Sequence, residues 1–352
     1  MINKLLSLLP ARLDGVMILS EVNRRYFTGF PSSDGILLIT RGGSVFLTDS
    51  RYIEEAKNKV TCYDVEELKN TRAQLPEYCK KFGCRVLGIE GGRMSVNELK
   101  SYRTMLKPVT LTAAKTEEII NSLRAVKSEE ETEKIKKAQA IAEKAFEHIL
   151  GFIKEGVTER EIALELDYFM LRSGAEALSF ETIAVSGANS SKPHGVPSDK
   201  KIQRGDFITM DYGAVFDGYH SDMTRTVAVG EVSTKQAEIY NTVLKAQLNA
   251  LSVLKAGIRC SDGDKAARDI ITEAGYGDFF RHSTGHSVGV EIHETPNLSP
   301  KSKDILKAGN IVTVEPGIYI PEEFGVRIED MVKINKSGCE NLTKIAKELI
   351  VL

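Results

Sequence analysis

The chain has 352 residues, enough for two domains that each bury a core. Its 47 Lys and Arg nearly balance its 49 Asp and Glu, which argues against a nucleic-acid surface or a polybasic membrane anchor as its main business. Five cysteines in no zinc-like spacing read as free thiols of a reducing compartment, the apolar patch in MINKLLSLLP is too short for a signal peptide, and no run approaches a transmembrane span, so a soluble cytoplasmic protein is expected.

Residues 1–124 read as an α/β domain. Strands are predicted at Val16–Leu19, Gly35–Thr40, Ser44–Thr48, Val60–Val65, Val86–Ile89 and Val109–Thr112, and helices at Arg51–Lys59, Thr71–Phe82 and Val96–Leu106. This region carries no catalytic constellation. Arg24, Arg25, Tyr26, Asp49, Arg51 and Tyr52 read as polar loop residues in surface or interdomain contacts.

A boundary near Arg124 opens a second domain, 125–352. Ser128 and Glu131 form a capping box for a helix running to about Ile153. Its stripe of Ile135, Ala138, Ile141, Ala142, Ala145, Ile149 and Phe152 is core packing, and the lone His148 reads as solvated or capping.

Beyond this helix the chain repeats itself. Residues 204–213, RGDFITMDYG, align with 308–317, AGNIVTVEPG, so that Asp211 and Glu315 occupy equivalent positions. The stretch 153–174 aligns with 254–275 as helix end, Gly, loop, helix, Gly, with Thr158 and Glu161 as a further capping box and Gly174 and Gly275 as helix stops. A second acid in apolar surroundings follows each copy, Asp222 in SDMTRT and Glu329 in VRIED. Buried carboxylates are costly unless paired, protonated or metal-bound, and four converging on one point call for a multivalent cation.

The six histidines sharpen this. His282, His286 and His293 cluster in HSTGHSVGVEIHE, and His194 lies in the Gly/Pro/Ser loop SSKPHGVPS. His220, two residues before Asp222, shares its face if both lie on one strand, as a ligand, a ligand's partner or a neighbour. Gly-flanked His286 joins Asp211, Asp222, Glu315 and Glu329 in a five-residue ligand inventory. Four carboxylates match the charge of two divalent ions, and the imidazole argues against Ca²⁺.

The set DYG, SDMTRT, STGHSVGVEIHE, VEPGIY and VRIED, in that order, resembles the creatinase/aminopeptidase P/prolidase family, most of all its short bacterial Xaa-Pro peptidases. The resemblance covers about 125–352 and implies an α+β protein: a pita-bread catalytic domain with a pseudo-twofold repeat, preceded by a smaller α/β domain. It also implies two divalent ions, Mn²⁺ first, with Co²⁺, Zn²⁺ or Fe²⁺ compatible, and a homodimer. Asp211 would chelate one ion, Asp222 and Glu329 would bridge both, and His286 and Glu315 would complete the other.

His194, His282, His293, Tyr319 and Arg327 match residues on the substrate side or behind the ligands. His293 is expected to donate to the developing oxyanion, and Glu315 to shuttle the proton. His194 and His282 are expected to hold substrate, and Arg327 to orient a bridging acid from the same strand face. Two positions depart from the family. Ser287 stands where many relatives have Gly, and neutral Asn297 stands where small prolidases often have Arg. Without that Arg to meet a dipeptide's carboxylate, the sequence favours a Xaa-Pro aminopeptidase over the alternative, a Xaa-Pro dipeptidase. Retention of all five ligands disfavours a metal-free creatinase-like hydrolase or a peptidase-like binding module.

Overall fold

In the computed structural model, which describes every residue from Met1 to Leu352, the apolar runs of the first third pair into a six-stranded mixed sheet. Its strands are β1 (Gly15–Ile18), β2 (Ile36–Thr40), β3 (Gly43–Thr48), β4 (Asp64–Glu67), β5 (Val86–Ile89) and β6 (Thr110–Thr112), in the order β4-β3-β2-β1-β5-β6. β1 to β3 form an antiparallel meander, and β4, β5 and β6 join in parallel. Every residue of β1 and β2 is buried, which is why GVMI and ILLIT are continuous apolar runs and not alternating ones. Helices α1 (Ile2–Leu8), α2 (Glu21–Thr28), α3 (Ile53–Lys59), α4 (Thr71–Lys81), α5 (Val96–Met105) and α6 (Thr116–Ala125) accompany the strands.

Two expectations fail here. The strand expected from Val60 starts at Asp64, because the Val60 N–H closes α3 on the Ala56 carbonyl. Arg24, Arg25 and Tyr26 lie in α2, capped by Ser20, and not in a loop. Arg24 is buried, with Nη2 donating to the Ser32 carbonyl at 2.6 Å. An eight-residue helix with a buried arginine gives no clean apolar period, so the sequence hid it. Asp49 and Arg51 do form a local surface pair, 2.6 Å apart.

The chain divides into two compact units, Met1–Arg124 and Ala125–Leu352. The second begins with α7 (Glu129–Leu150), whose capping box of Ser128 and Glu131 forms as the sequence requires, and α8 (Glu159–Arg172), capped by Thr158 and Glu161. His148 is partly exposed and pairs with a neighbouring helix. Its Nε2 meets Glu165 Oε1 at 2.6 Å and its ring stacks on Phe169 at 4.2 Å, so it ties α7 to α8.

The remaining strands are β7 (Ala177–Leu178), β8 (Ile183–Ser186), β9 (Phe207–Tyr212), β10 (Ala214–Phe216), β11 (Tyr219–His220), β12 (Met223–Ala228), β13 (Gly285–Ser287), β14 (Glu294–Leu298), β15 (Ile311–Val314), β16 (Gly317–Ile320), β17 (Phe324–Arg327), β18 (Asp330–Ile334) and β19 (Cys339–Asn341). The repeat is visible in them. β8, β9 and β12 form an antiparallel sheet backed by α7 and α8, and β13, β15 and β18 repeat it, backed by α9 (Thr234–Val253) and α10 (Cys260–Glu273). Each half builds its own apolar cluster. The glycines match in conformation as well as position: φ is +89° at Gly156 and +94° at Gly257, and +90° at Gly205 and +92° at Gly309. Only glycine adopts these angles without strain, so both copies turn into their sheets in the same way.

Behind the sheets, Arg225 of β12 is 1% exposed and spends all its donors. It bonds the carbonyls of Thr224, Glu329, Ile345 and Ala346, and the Asp330 carboxylate at 2.8 Å. Burial alone would raise the pKa of Asp330, but Arg225 and Lys347 outweigh it and hold the acid below its usual range. No helix of the chain is long and apolar enough to cross a membrane.

Candidate metal centre

The two halves deliver their acids to one cavity of about 630 Å³, walled by Asp211, Asp222, Glu315, Glu329 and His286. Asp211 projects from β9 opposite Thr224 of β12, and Glu315 directly follows β15. Asp222 precedes β12, and Glu329 lies between β17 and β18. His286 sits on β13, where Gly285 permits close strand approach: a Cβ there would fall 2.0 Å from the Thr313 carbonyl oxygen.

Asp222 and Glu329 are 4% and 1% exposed, so the acids have little water to stabilise their charge. Their donors are few. Glu329 Oε2 accepts from Thr224 Oγ1 at 2.7 Å, and Glu315 Oε1 accepts from Thr313 Oγ1 at 3.0 Å. Asp211 Oδ1, Asp222 Oδ1 and Glu329 Oε1 are buried with no hydrogen-bond partner at all. Burial, with Glu329 and Asp211 nearby, pushes Asp222 well above the usual carboxylate range. Burial, with Glu315 and Asp211, does the same to Glu329. Burial is also the main cause that lifts Glu315 to about 7.

His286 adds a nitrogen donor to these oxygens. Its Nδ1 lies 3.1 Å from the Ser287 carbonyl, an acceptor only, so Nδ1 carries the proton and Nε2 presents a lone pair. That lone pair faces Glu315 Oε1 at 3.4 Å and Asp222 Oδ2 at 3.5 Å. Burial holds the ring's pKa down, so it offers no positive charge of its own. Donor atoms of Asp222, His286 and Glu329 all lie within 4.8 Å of one another. Oxygen and nitrogen donor atoms converging at this spacing fit a divalent cation.

The remaining predicted residues surround this cluster. Arg327, 3% exposed, donates through Nη2 to Asp211 Oδ2 at 2.6 Å, through Nη1 to Tyr319 Oη at 2.8 Å and to the Pro193 carbonyl, and through Nε to Thr224 Oγ1 at 3.0 Å. The expectation that it orients Glu329 from one strand face needs correction. β17 ends at Arg327, so the two-residue alternation does not carry on to Glu329. Arg327 holds Asp211 of the other half directly and reaches Glu329 only through Thr224.

Tyr319 Oη donates a hydrogen bond to His282 Nε2 at 2.9 Å, because His282 Nδ1 donates to the Ser283 carbonyl. Burial, with Arg327 beside it, lowers the His282 pKa to about 4, so this ring is neutral and both its nitrogens are committed. His293 stands edge-on to His286, ring centroids 4.4 Å apart, and it shares the exposed cavity wall with His194 and Asn297.

His220 is not brought into the cluster. β11 ends at His220, so Asp222 is not on its strand, and its Nδ1 lies 2.9 Å from Ser179 Oγ. Sequence reasoning missed Thr224 and the apolar wall of Phe180, Ile183, Val196 and Ile292. The threonine carried a signal, two places after Asp222 in SDMTRT; the wall residues, scattered along the chain, carried none.

Residues 133–336 match metallopeptidase family M24, and residues 2–126 match the Creatinase/Prolidase N-terminal domain. The chain is 41% identical over 342 residues to the Xaa-Pro dipeptidase of Pyrococcus horikoshii, covering 96% of this chain and 95% of that protein. Among solved structures, the Xaa-Pro dipeptidase from Bacillus anthracis is 42% identical with a TM-score of 0.96, covering 100% of this chain and 99% of that one. The X-Pro aminopeptidase from Thermotoga maritima is 36% identical with a TM-score of 0.94, also covering 100% and 99%.

Proposed function

The chain belongs to metallopeptidase family M24, and from that premise we propose that it hydrolyses the Xaa-Pro bond, with dipeptides as its preferred substrates. The observation that carries this reading is a cavity that opens to solvent and gathers Asp211, Asp222, Glu315 and Glu329, three of whose buried oxygens have no hydrogen-bond partner, around the His286 lone pair, which faces Asp222 Oδ2 and Glu315 Oε1. Asp211, Asp222, His286, Glu315 and Glu329 would hold two divalent cations there. When bound, such ions acidify water and polarise a carbonyl.

The chain's own residues do the rest. Glu315, on the cavity wall beside His286, is placed to take a proton from the attacking water and pass it to the leaving proline nitrogen. His293, on the cavity wall without a hydrogen-bond partner in the chain, is placed to donate to the oxyanion that forms. Arg327 and Thr224 keep Asp211 and Glu329 in position. Tyr319, with its hydroxyl pKa raised to about 12 by burial, stays a donor and fixes the His282 ring as a wall of the site.

Asn297 favoured longer substrates on the sequence alone, and the dipeptidase alternative now has the better support. Relatives 41% and 42% identical along nearly the whole chain carry the name Xaa-Pro dipeptidase. The place of the absent arginine can be taken by His194, which stands exposed on the cavity wall without a hydrogen-bond partner in the chain and would meet the dipeptide carboxylate. Comparing kcat/KM for a Xaa-Pro dipeptide and a Xaa-Pro-Yaa tripeptide in Mn²⁺ tests this. The dipeptide should be the better substrate; a clear preference for the tripeptide would return the aminopeptidase reading to first place.

A further inference from the structure

Glu159 is a charged side chain with no share in the metal centre. It opens α8 and is 0% exposed, yet no Lys, Arg or His pairs with it. Its charge is stabilised instead by hydrogen bonds from a single loop. Oε1 accepts from the Ser186 N–H at 2.7 Å and from Ser186 Oγ at 2.9 Å. Oε2 accepts from the Ser198 N–H at 3.1 Å and from Ser198 Oγ at 2.6 Å. Asn189 Nδ2 reaches both oxygens, at 3.2 and 3.1 Å. Lys200 is one hydroxyl away, donating to Ser186 Oγ at 2.8 Å and to Asp206 at 2.6 Å.

Ser186 and Asn189 stand at the start of this loop and Ser198 at its end, so one carboxylate joins both ends. Between them run Pro193, His194, Gly195, Val196 and Pro197, which wall the cavity. The loop is tightly built: a Cβ on Gly195 would lie 3.0 Å from Val185 Cγ1. A carboxylate buried this deeply is tolerated only while its donors stay in place.

We propose that Glu159 is a positioning residue, a staple that closes the 186–198 loop and thereby sets the substrate wall carrying His194. The proposal rests on the reading that this cavity receives Xaa-Pro peptides. Replacement by the isosteric amide presents an N–H₂ group to donors and so breaks about half of the contacts. Because no metal ligand touches Glu159, the effect should appear in substrate binding and not in metal loading.

The test is Glu159→Gln in the full chain, read by hydrogen exchange, metal content and steady-state kinetics. Exchange across 187–198 should quicken about tenfold or more while the β9 and β15 sheets keep their protection. KM for a Xaa-Pro dipeptide should rise about tenfold, with kcat within about threefold and bound Mn²⁺ unchanged. If that variant does not fold, the double variant Asn189→Ala/Ser198→Ala, which removes three of the contacts and leaves the acid in place, carries the same expectations. Unchanged exchange in the loop, or a fall in kcat at constant KM, overturns the proposal. Exchange needs no substrate, so a wild type that fails to cleave Xaa-Pro would sink the functional reading and leave the staple to be judged separately.

Discussion

Arg327 Nη2 and Asp211 Oδ2 are joined across 2.6 Å, an ion pair that links the second copy of the repeat to the first. Asp211 Oδ1 remains unpartnered, so the guanidinium fixes one oxygen and aims the other. Arg327→Lys keeps the charge but not the fork that also holds Tyr319 and Thr224. It should weaken Mn²⁺ affinity by about 10- to 100-fold, read by calorimetric titration of metal-free protein. Wild-type affinity in that variant would show that Asp211 needs no orienting partner.

Metal removal should abolish hydrolysis, and Mn²⁺ or Co²⁺ should restore it. Asp222→Ala should reduce bound metal far more than a change at exposed Glu130, since Asp222 faces both His286 and the neighbouring acids. Atomic absorption on dialysed variants gives the stoichiometry. Full activity of chelated, metal-free protein would refute the assigned ligand set.

The acids also set a pH dependence in the metal-free state. Glu315 rises from an ordinary 4.5 to about 7, and Asp222 and Glu329 shift the same way. Between pH 4.5 and 7 the folded chain therefore holds a proton on Glu315 that the unfolded chain has released. More protons on the folded state means that stability falls as pH rises through this window. Between pH 5.5 and 7.5 the melting temperature of metal-free wild type should fall relative to that of Glu315→Gln, a comparison in which the opposing shifts of His282, His286 and His293 cancel, and added Mn²⁺ should raise the wild type more at the higher pH. The opposite change would mean that the cluster is not compressed in the way its burial indicates.

His293→Ala should separate chemistry from metal binding. The ring touches His286 edge-on but offers nothing to the ligand cluster that His286 does not already supply. Turnover should fall on the order of a hundredfold, the scale of a lost oxyanion donor, with metal content intact. Parallel loss of metal would make His293 a ligand instead.

The acids and His286 were legible in the sequence because charge inside an apolar strand pattern is conspicuous, and because the repeat set Asp211 against Glu315. What crosses between the halves was not legible. Arg327 was read against its neighbour in sequence, Glu329, but the strand stops between them and its real partner lies 116 positions away. The same assumption of an unbroken strand misplaced His220, which the end of β11 separates from Asp222. Helix α2 was missed for a different reason: Arg24 is buried by hydrogen bonds to carbonyls, and a polar letter in a sequence does not reveal that it is inside.

The buried guanidinium of Arg225 has a bearing on how the protein is made. Its partners include the carbonyls of residues 345 and 346, some 120 positions downstream, and the carbonyl of Glu329. A nascent chain emerges from its N-terminal end, so the first unit can fold while the second is still being translated. Until residues 345 and 346 have left the ribosome, Arg225 cannot complete its native set of partners. The second unit would thus close late in biogenesis, after both copies of its repeat have been translated.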